Sequence, residues 1–162
     1  LSALQNAIGR VDSVKILYEK LLLTNTYRAT SVKEYLNNLI DQIIKLFPDN
    51  LKLTVIKEIA DFKLEPKRMV SLGMIVNELL TDAMKYAFAG KTEGTLHIKL
   101  VDSQKIITLT IQDDGNGLPE EFDVTKSTGF GLMLVNILCE QLEGTFSIIN
   151  KYGTRSTLEF RN

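Results

Sequence analysis

Two runs of strictly alternating apolar residues constrain this chain most. Leu96, Ile98 and Leu100 share one side of an extended segment, and Ile107, Leu109 and Ile111 share the matching side of the next. Asp102-Ser103-Gln104-Lys105 lies between them, so the pattern predicts a hairpin with one apolar face. Such a face needs a covering layer. The flanking sequence supplies it as helices with apolar side chains every three or four residues. Ser31 and Glu34 form a capping-box signature ahead of Tyr35, Leu36, Leu39, Ile40, Ile43, Ile44 and Phe47, and Pro48 stops that helix. Pro66 suits a first helical turn, and helix-compatible sequence runs from it to Phe88, with Gly90 in a C-terminal capping position. A further helix is expected from Gly129 to Leu142. Leu1, Leu4, Ile8, Val11, Val14, Tyr18 and Leu21 draw another helical stripe, which wants a partner helix, and Thr24 to Thr30 is the connection.

Leu51, Leu53, Val55 and Lys57 alternate as a strand, Asp61 to Glu65 reads as a turn, and Thr145–Asn150 with Thr154–Phe160 form a last strand pair around Lys151-Tyr152-Gly153. The order predicts an α+β fold, a two-layer α/β sandwich with helices on one face of a mixed sheet, preceded by a helical segment. Its division is 1–47 for the helical segment and 48–162 for the sandwich. Nineteen basic and twenty acidic residues, spread without a block of one sign, exclude the electrostatic footprint of a nucleic-acid or anionic-membrane binder. Any phosphate is then held locally. The single cysteine, Cys139, sits among Ile137, Leu138 and Leu142 and reads as a buried free thiol in a reducing compartment. No apolar run reaches the roughly 18 to 20 residues of a membrane span, so a cytoplasmic domain is expected. The chain opens at Leu1 rather than methionine, and a fragment of something longer is expected.

Three clusters carry chemistry. On a helix that is apolar nearly all round, Glu78, Asp82 and Lys85 fall at i, i+4 and i+7 on one stripe. Two carboxylates so placed repel, and Lys85 or a divalent cation can offset them. An exposed ion-pair stripe has the same spacing. Asp113-Asp114-Gly115-Asn116-Gly117 follows a strand, and offers a fixed acceptor with a backbone free to approach a flat ligand; a plain turn reads the same way. Ser127-Thr128-Gly129-Phe130-Gly131-Leu132 opens a helix and can converge backbone N–H groups on an anion. It is neither a dinucleotide fingerprint nor a P-loop.

In this order the three clusters resemble the N, G1 and G2 boxes of the Bergerat ATP-binding fold. The stretch Asn77-Glu78-Leu79-Leu80-Thr81-Asp82-Ala83-Met84-Lys85-Tyr86-Ala87-Phe88 resembles the N box of sensor histidine kinases with the HisKA_2 dimerisation region. Gly129-Phe130-Gly131-Leu132, Val135, Glu140-Gln141-Leu142, Gly144 and Gly153-Thr154-Arg155 resemble that subfamily in spacing, and the short interval from Gly117 to Gly129 resembles its short ATP lid. The likeness covers about residues 50 to 161 strongly, and the first two helices resemble the second dimerisation helix and its connection more loosely. The resemblance implies ATP and Mg²⁺ as cofactors. It implies that Asp113 accepts the adenine amino group with Thr154 near the base, and that Gly115 and Gly117 let the chain pass the nucleotide. It further implies that Gly129, Gly131 and Leu132 lead the helix and lid beside the phosphates. Lys85 and Asp82 would face the phosphate and magnesium end, with Asp82 as metal ligand, and Glu78 would give electrostatic or general-base support as catalytic residue beside Lys85. The partners implied are a response-regulator receiver domain and a second copy of the chain, with no nucleic acid.

Two departures qualify the resemblance. Asp82 stands where the N box has asparagine; a carboxylate is a good Mg²⁺ ligand, but it adds negative charge beside a triphosphate and loses an amide donor. The only histidine, His97, alternates with Leu96 and Ile98 on a strand and reads as a polar-face residue rather than a phosphoacceptor, so this chain alone cannot autophosphorylate. The competing reading is a degenerate kinase-like module that dimerises or binds a partner. A third is another relative, such as an anti-sigma-factor serine kinase.

Overall fold

The computed structural model describes residues 31–47, 51–119 and 130–162. Helix α1 spans Val32–Lys45, strand β1 Lys52–Ile59 and helix α2 Pro66–Asp82, which runs on into a π-turn, Ala83–Ala87. Strands β2 (Glu93–Ser103) and β3 (Ile106–Asp113) follow, then helix α3 (Phe130–Gln141) and strands β4 (Thr145–Asn150) and β5 (Thr154–Arg161). The five strands form one sheet in the order β1-β2-β3-β5-β4. It is mixed because α2 carries the chain across from β1 to a parallel β2, whereas β2–β3 and β4–β5 are antiparallel hairpins and β3 pairs antiparallel with β5 across the α3 connection. The α+β sandwich expected from the sequence is the observed fold. The helical stripe of residues 1 to 24, its connection, and Gly129 with Ser127 and Thr128 lie outside the described residues.

Period-two alternation does the sorting. Leu96, Ile98, Leu100, Ile107 and Leu109 are fully buried under the helices, while His97, Lys99, Thr108 and Thr110 line the open side. The hairpin is tighter than the four-residue turn expected. Both strands extend inward until only Gln104 and Lys105 remain, at φ of 52° and 67°. Positive φ at both positions matches a two-residue loop to the strand twist, at a small cost for residues that are not glycine. On the open side His97 Nε2 and Lys99 Nζ lie 2.7 and 3.1 Å from the Glu58 carboxylate. Lys99 first, then His97, holds that carboxyl below its ordinary range. A lowered carboxyl contributes stability that is lost as pH falls, but this group is exposed and the contribution is small.

The hydrophobic core is continuous from the sheet through all three helices. Leu36 and Ile40 of α1, Met69, Leu72, Ile75 and Leu80 of α2 and Val135 of α3 are essentially fully buried, each stabilising the fold by roughly 1.5 to 3 kcal/mol against exposure. The α1 stripe therefore belongs to the same core as the sheet, and packing does not divide at residues 47 and 48. Its cap forms as the sequence predicts, the Glu34 N–H donating to Ser31 Oγ at 3.1 Å. Ser31 Oγ in turn donates to Asp61 at 2.6 Å, and the Val32 N–H donates to the Phe62 carbonyl at 3.1 Å, tying α1 to the β1–α2 link. Cys139 is buried, as its apolar setting predicts.

Tyr35 is the exception to good packing chemistry. Its ring is buried against this core, and among the described residues its hydroxyl finds no hydrogen-bond partner. Burial raises its pKa well above the ordinary 10.0. Tyr35→Phe is therefore expected to raise stability by about 1 kcal/mol in chemical denaturation at neutral pH. The unfolded chain releases this proton near the ordinary tyrosine pKa while the folded chain retains it. The unaltered protein accordingly loses stability as pH rises above about 10, and the phenylalanine variant loses less.

Candidate functional site

The site forms where β3 ends. Asp113 is its last residue and is buried, and its Oδ1 accepts two backbone N–H groups, Gly115 at 2.8 Å and Thr154 at 3.0 Å. The first closes a turn within the loop and the second reaches across to β5, so the carboxylate is held from two sides. Such contact needs the β4–β5 turn to come very close. Gly153 meets this need at φ of 112°, where a Cβ would stand only 2.2 Å from the Asp113 carbonyl oxygen.

The loop after Asp113 is fastened on each side. The Thr95 N–H donates to Asp114 Oδ1 at 2.7 Å, and the Asp114 N–H donates to the Thr95 carbonyl at 3.2 Å. Asn116 caps the π-turn, its N–H donating to the Ala87 carbonyl at 2.8 Å and its side-chain amide to the Ala89 carbonyl at 3.0 Å. Carbonyls orphaned at that helix end thus find donors in the loop. Gly115 belongs to this docking, since a Cβ on it would lie 2.4 Å from the Ala87 carbonyl oxygen. Asn150 of β4 clamps Leu118, accepting its N–H at 2.6 Å and donating to its carbonyl at 3.0 Å.

Between this loop, the end of α2 and the start of α3 lies a cavity of about 550 Å³. Leu79, Ala83, Tyr86 and Ala87 form its helical wall, Ile111 and Ile148 its sheet floor, and Leu118, Pro119 and Phe130 its mouth. Of the residues singled out in the sequence, Asp82, Asp113, Gly117, Gly131, Leu132 and Thr154 line it together. Three others do not. Glu78 and Lys85 belong to the next row around the helix from Leu79, Ala83 and Tyr86, so the acidic stripe borders the cavity at Asp82 instead of facing it throughout. Gly115 sits against the helix end. Glu78 is nonetheless buried, with the Asn77 amide 3.4 Å from its Oε1, so the surface ion-pair stripe does not describe it. The helix expected to run regularly to Phe88 instead widens into the π-turn that carries Lys85 and Tyr86.

Sequence reasoning missed several lining residues. Tyr86 stands in the N-box wording without a role there, yet it lines the wall. Ile148 pairs with Ser156 across β4 and β5, and both line the cavity; the alternation of Phe146 with Ile148 was the available signal. Chemically, the cavity offers mainly apolar walls, an oriented acceptor at Asp113 and a carboxylate at Asp82. Among the described residues no lysine or arginine lines it, and no cluster of three metal-ligating side chains is present. A flat, amine-bearing ring satisfies the Asp113 side. An anion beside Asp82 needs a cation to accompany it.

Residues 68–162 match the family described as histidine kinase-, DNA gyrase B-, and HSP90-like ATPase. Among curated proteins, the chain is 29% identical over 154 residues to the sensor histidine kinase PdtaS of Mycolicibacterium smegmatis, covering 90% of this chain and 30% of that protein. It is 25% identical over 145 residues to blue-light-activated histidine kinase 2 of Erythrobacter litoralis, covering 86% of this chain and 41% of that protein. The chain thus spans well under half the length of these relatives. Among solved structures, the histidine kinase domain of the Erythrobacter litoralis EL346 blue-light-activated kinase superposes with a TM-score of 0.79 at 22% identity, covering 94% of this chain and 73% of that one. That likeness is one of fold.

Proposed function

The chain belongs to the histidine kinase-, DNA gyrase B-, and HSP90-like ATPase family, and on that premise we propose that its cavity binds Mg²⁺-ATP as the catalytic half of a two-component sensor histidine kinase of the HisKA_2 type. The observation that carries this reading is Asp113, a buried carboxylate whose Oδ1 is fixed by two backbone donors at the floor of an apolar cavity. A planar base with an exocyclic amino group suits both features. Thr154 flanks the base, Tyr86 offers it a ring face, and Gly117 carries the chain past it. Gly131 and Leu132, in the first turn of α3, are proposed to lie beside the phosphates together with Gly129, where a helix N-terminus favours anions.

The donor set fits Mg²⁺ held jointly by protein and substrate. This hard ion commonly takes one or two carboxylates and completes its shell with phosphate oxygens and water. Asp82 would hold it. The ion, when bound, neutralises charge on the triphosphate. The chain's own residues orient the rest: Asp113 fixes the base, the apolar walls exclude water from it, and the α3 N-terminus steadies the phosphates. Glu78, one turn from Asp82 on α2, is proposed to give electrostatic or general-base support to the attacking group, and Lys85 to add positive charge near the phosphates. The γ-phosphoryl would pass to a histidine supplied by the full-length protein, then to an aspartate of a response-regulator receiver domain. Residues 1–47 are proposed to derive from a dimerisation region, with α1 packing on the core of the ATP-binding unit of residues 48–162. No helix among the described residues is long and apolar enough to cross a membrane.

The test uses full-length protein and Mg²⁺-ATP. The expected product is an acid-labile, alkali-stable phosphoprotein, the stability profile of phosphohistidine. Glu78→Gln is expected to lower its rate of formation about 100-fold or more while ATP affinity changes less than about twofold. Unchanged phosphorylation in that variant removes Glu78 from the mechanism, and an acid-stable product contradicts transfer to histidine.

A further inference from the structure

Asp113 stands where regular pairing between β3 and β5 stops. The last rung is Gln112 opposite Arg155. Beyond it Thr154 gives its N–H to the Asp113 side chain, and β5 gives way to the Lys151-Tyr152-Gly153 turn. Strand ends fray unless something replaces the missing rungs. Here the replacement is the Gln112 side chain, which alternation sends to the sheet face opposite the cavity. Its Nε2 donates to the Asp113 carbonyl and to the Lys151 carbonyl, each at 2.8 Å. Its Oε1 accepts from Arg155 Nε at 2.7 Å. One amide thereby joins the end of β3, the β4–β5 turn and the first full rung of β5. The turn is already in contact with Asp113 through Gly153, so a shift of either strand end moves the carboxylate.

We infer that Gln112 and Arg155 are positioning residues that set how strictly the cavity selects adenine over guanine. The inference rests on reading the cavity as an adenine-nucleotide site. Adenine offers an amino donor where guanine carries a carbonyl oxygen, and a carboxylate attracts the first and repels the second. That difference depends on aim, because a hydrogen bond weakens steeply with misalignment. Neither Gln112 nor Arg155 lines the cavity, so both act through Asp113 and its turn.

The test titrates ADP and GDP, each with Mg²⁺, against the chain and its Gln112→Ala, Gln112→Glu and Arg155→Ala variants, alongside thermal unfolding. Gln112→Ala is expected to lower the ADP-to-GDP affinity ratio about tenfold, while the unfolding temperature moves by no more than about 4 °C. Gln112→Glu keeps an acceptor for Arg155 but turns oxygen toward both carbonyls, so it should lose at least as much selectivity as alanine. Arg155→Ala should lose less. An unchanged ratio in Gln112→Ala overturns the inference, as does equal weakening of ADP and GDP. Asp113→Asn separates the two levels of the argument. If the unaltered chain binds no ADP, the nucleotide reading fails and the inference with it; if ADP binds but Asp113→Asn leaves its affinity intact, Asp113 does not read the base and the inference fails alone; if Asp113→Asn abolishes ADP binding while Gln112→Ala keeps full selectivity, only the positioning role is wrong.

Discussion

Asp113→Asn is expected to lower affinity for a non-hydrolysable ATP analogue about 100-fold with little loss of stability. The two backbone N–H groups that meet Oδ1 need an acceptor, and the asparagine oxygen can serve them in the same place. Its NH₂ must then occupy the other position, where a donor would oppose the adenine amino group. The hydrogen bond to a charged acceptor, about 1.5 to 3 kcal/mol, is lost and a repulsive contact is gained. Asp113→Ala removes the same acceptor but also strands the Gly115 and Thr154 donors, so it should bind no better and melt earlier. Calorimetry with parallel melting curves separates the two effects. Retained binding in both variants would remove Asp113 from the site.

The second large effect is metal dependence. Asp82 borders the cavity, so a triphosphate bound there adds negative charge beside its carboxylate. In the absence of Mg²⁺, the unaltered chain is expected to bind the ATP analogue at least about 100-fold more weakly than in its presence. Asp82→Asn should recover metal-free binding by about thirtyfold, equivalent to roughly 2 kcal/mol after allowance for solvent screening of a half-buried charge. Affinity in Mg²⁺ should change less, because the amide oxygen remains a hard ligand. Binding in a chelator as tight as in Mg²⁺ would contradict this role for Asp82.

The fold was legible because alternation and three-and-four spacing each admit one arrangement of a buried face. Leu96, Ile98 and Leu100 could be covered only from one side, and the amphipathic stripes on α1 and α2 were the available cover. The family resemblance rested on the N-box wording and the glycine spacings, and the match over residues 68–162 bears out the ATP-binding family without bearing on the HisKA_2 subtype. The cavity was only partly legible. Asp82, Asp113, Gly117, Gly131, Leu132 and Thr154 converge on it, but spacing along a helix could not tell that the wall follows Leu79, Ala83 and Tyr86, one row from Glu78 and Lys85. Nor could it reveal the π-turn. That widening coincides with docking of the Gly115-Asn116 loop, a contact 27 residues apart in sequence between Asn116 and Ala89. Gln112 was also invisible, since its three bonds exist only once β3 and β5 are paired. The same limit hid α1's membership in the sheet's core, because an amphipathic stripe does not name its partner.

The most direct test of the central claim is calorimetric titration of the unaltered chain with a non-hydrolysable ATP analogue in Mg²⁺. The account predicts saturable binding of one nucleotide per chain, displaced by ADP and not by GDP at equal concentration. Absence of binding heat at several temperatures, or equal displacement by both diphosphates, would contradict it.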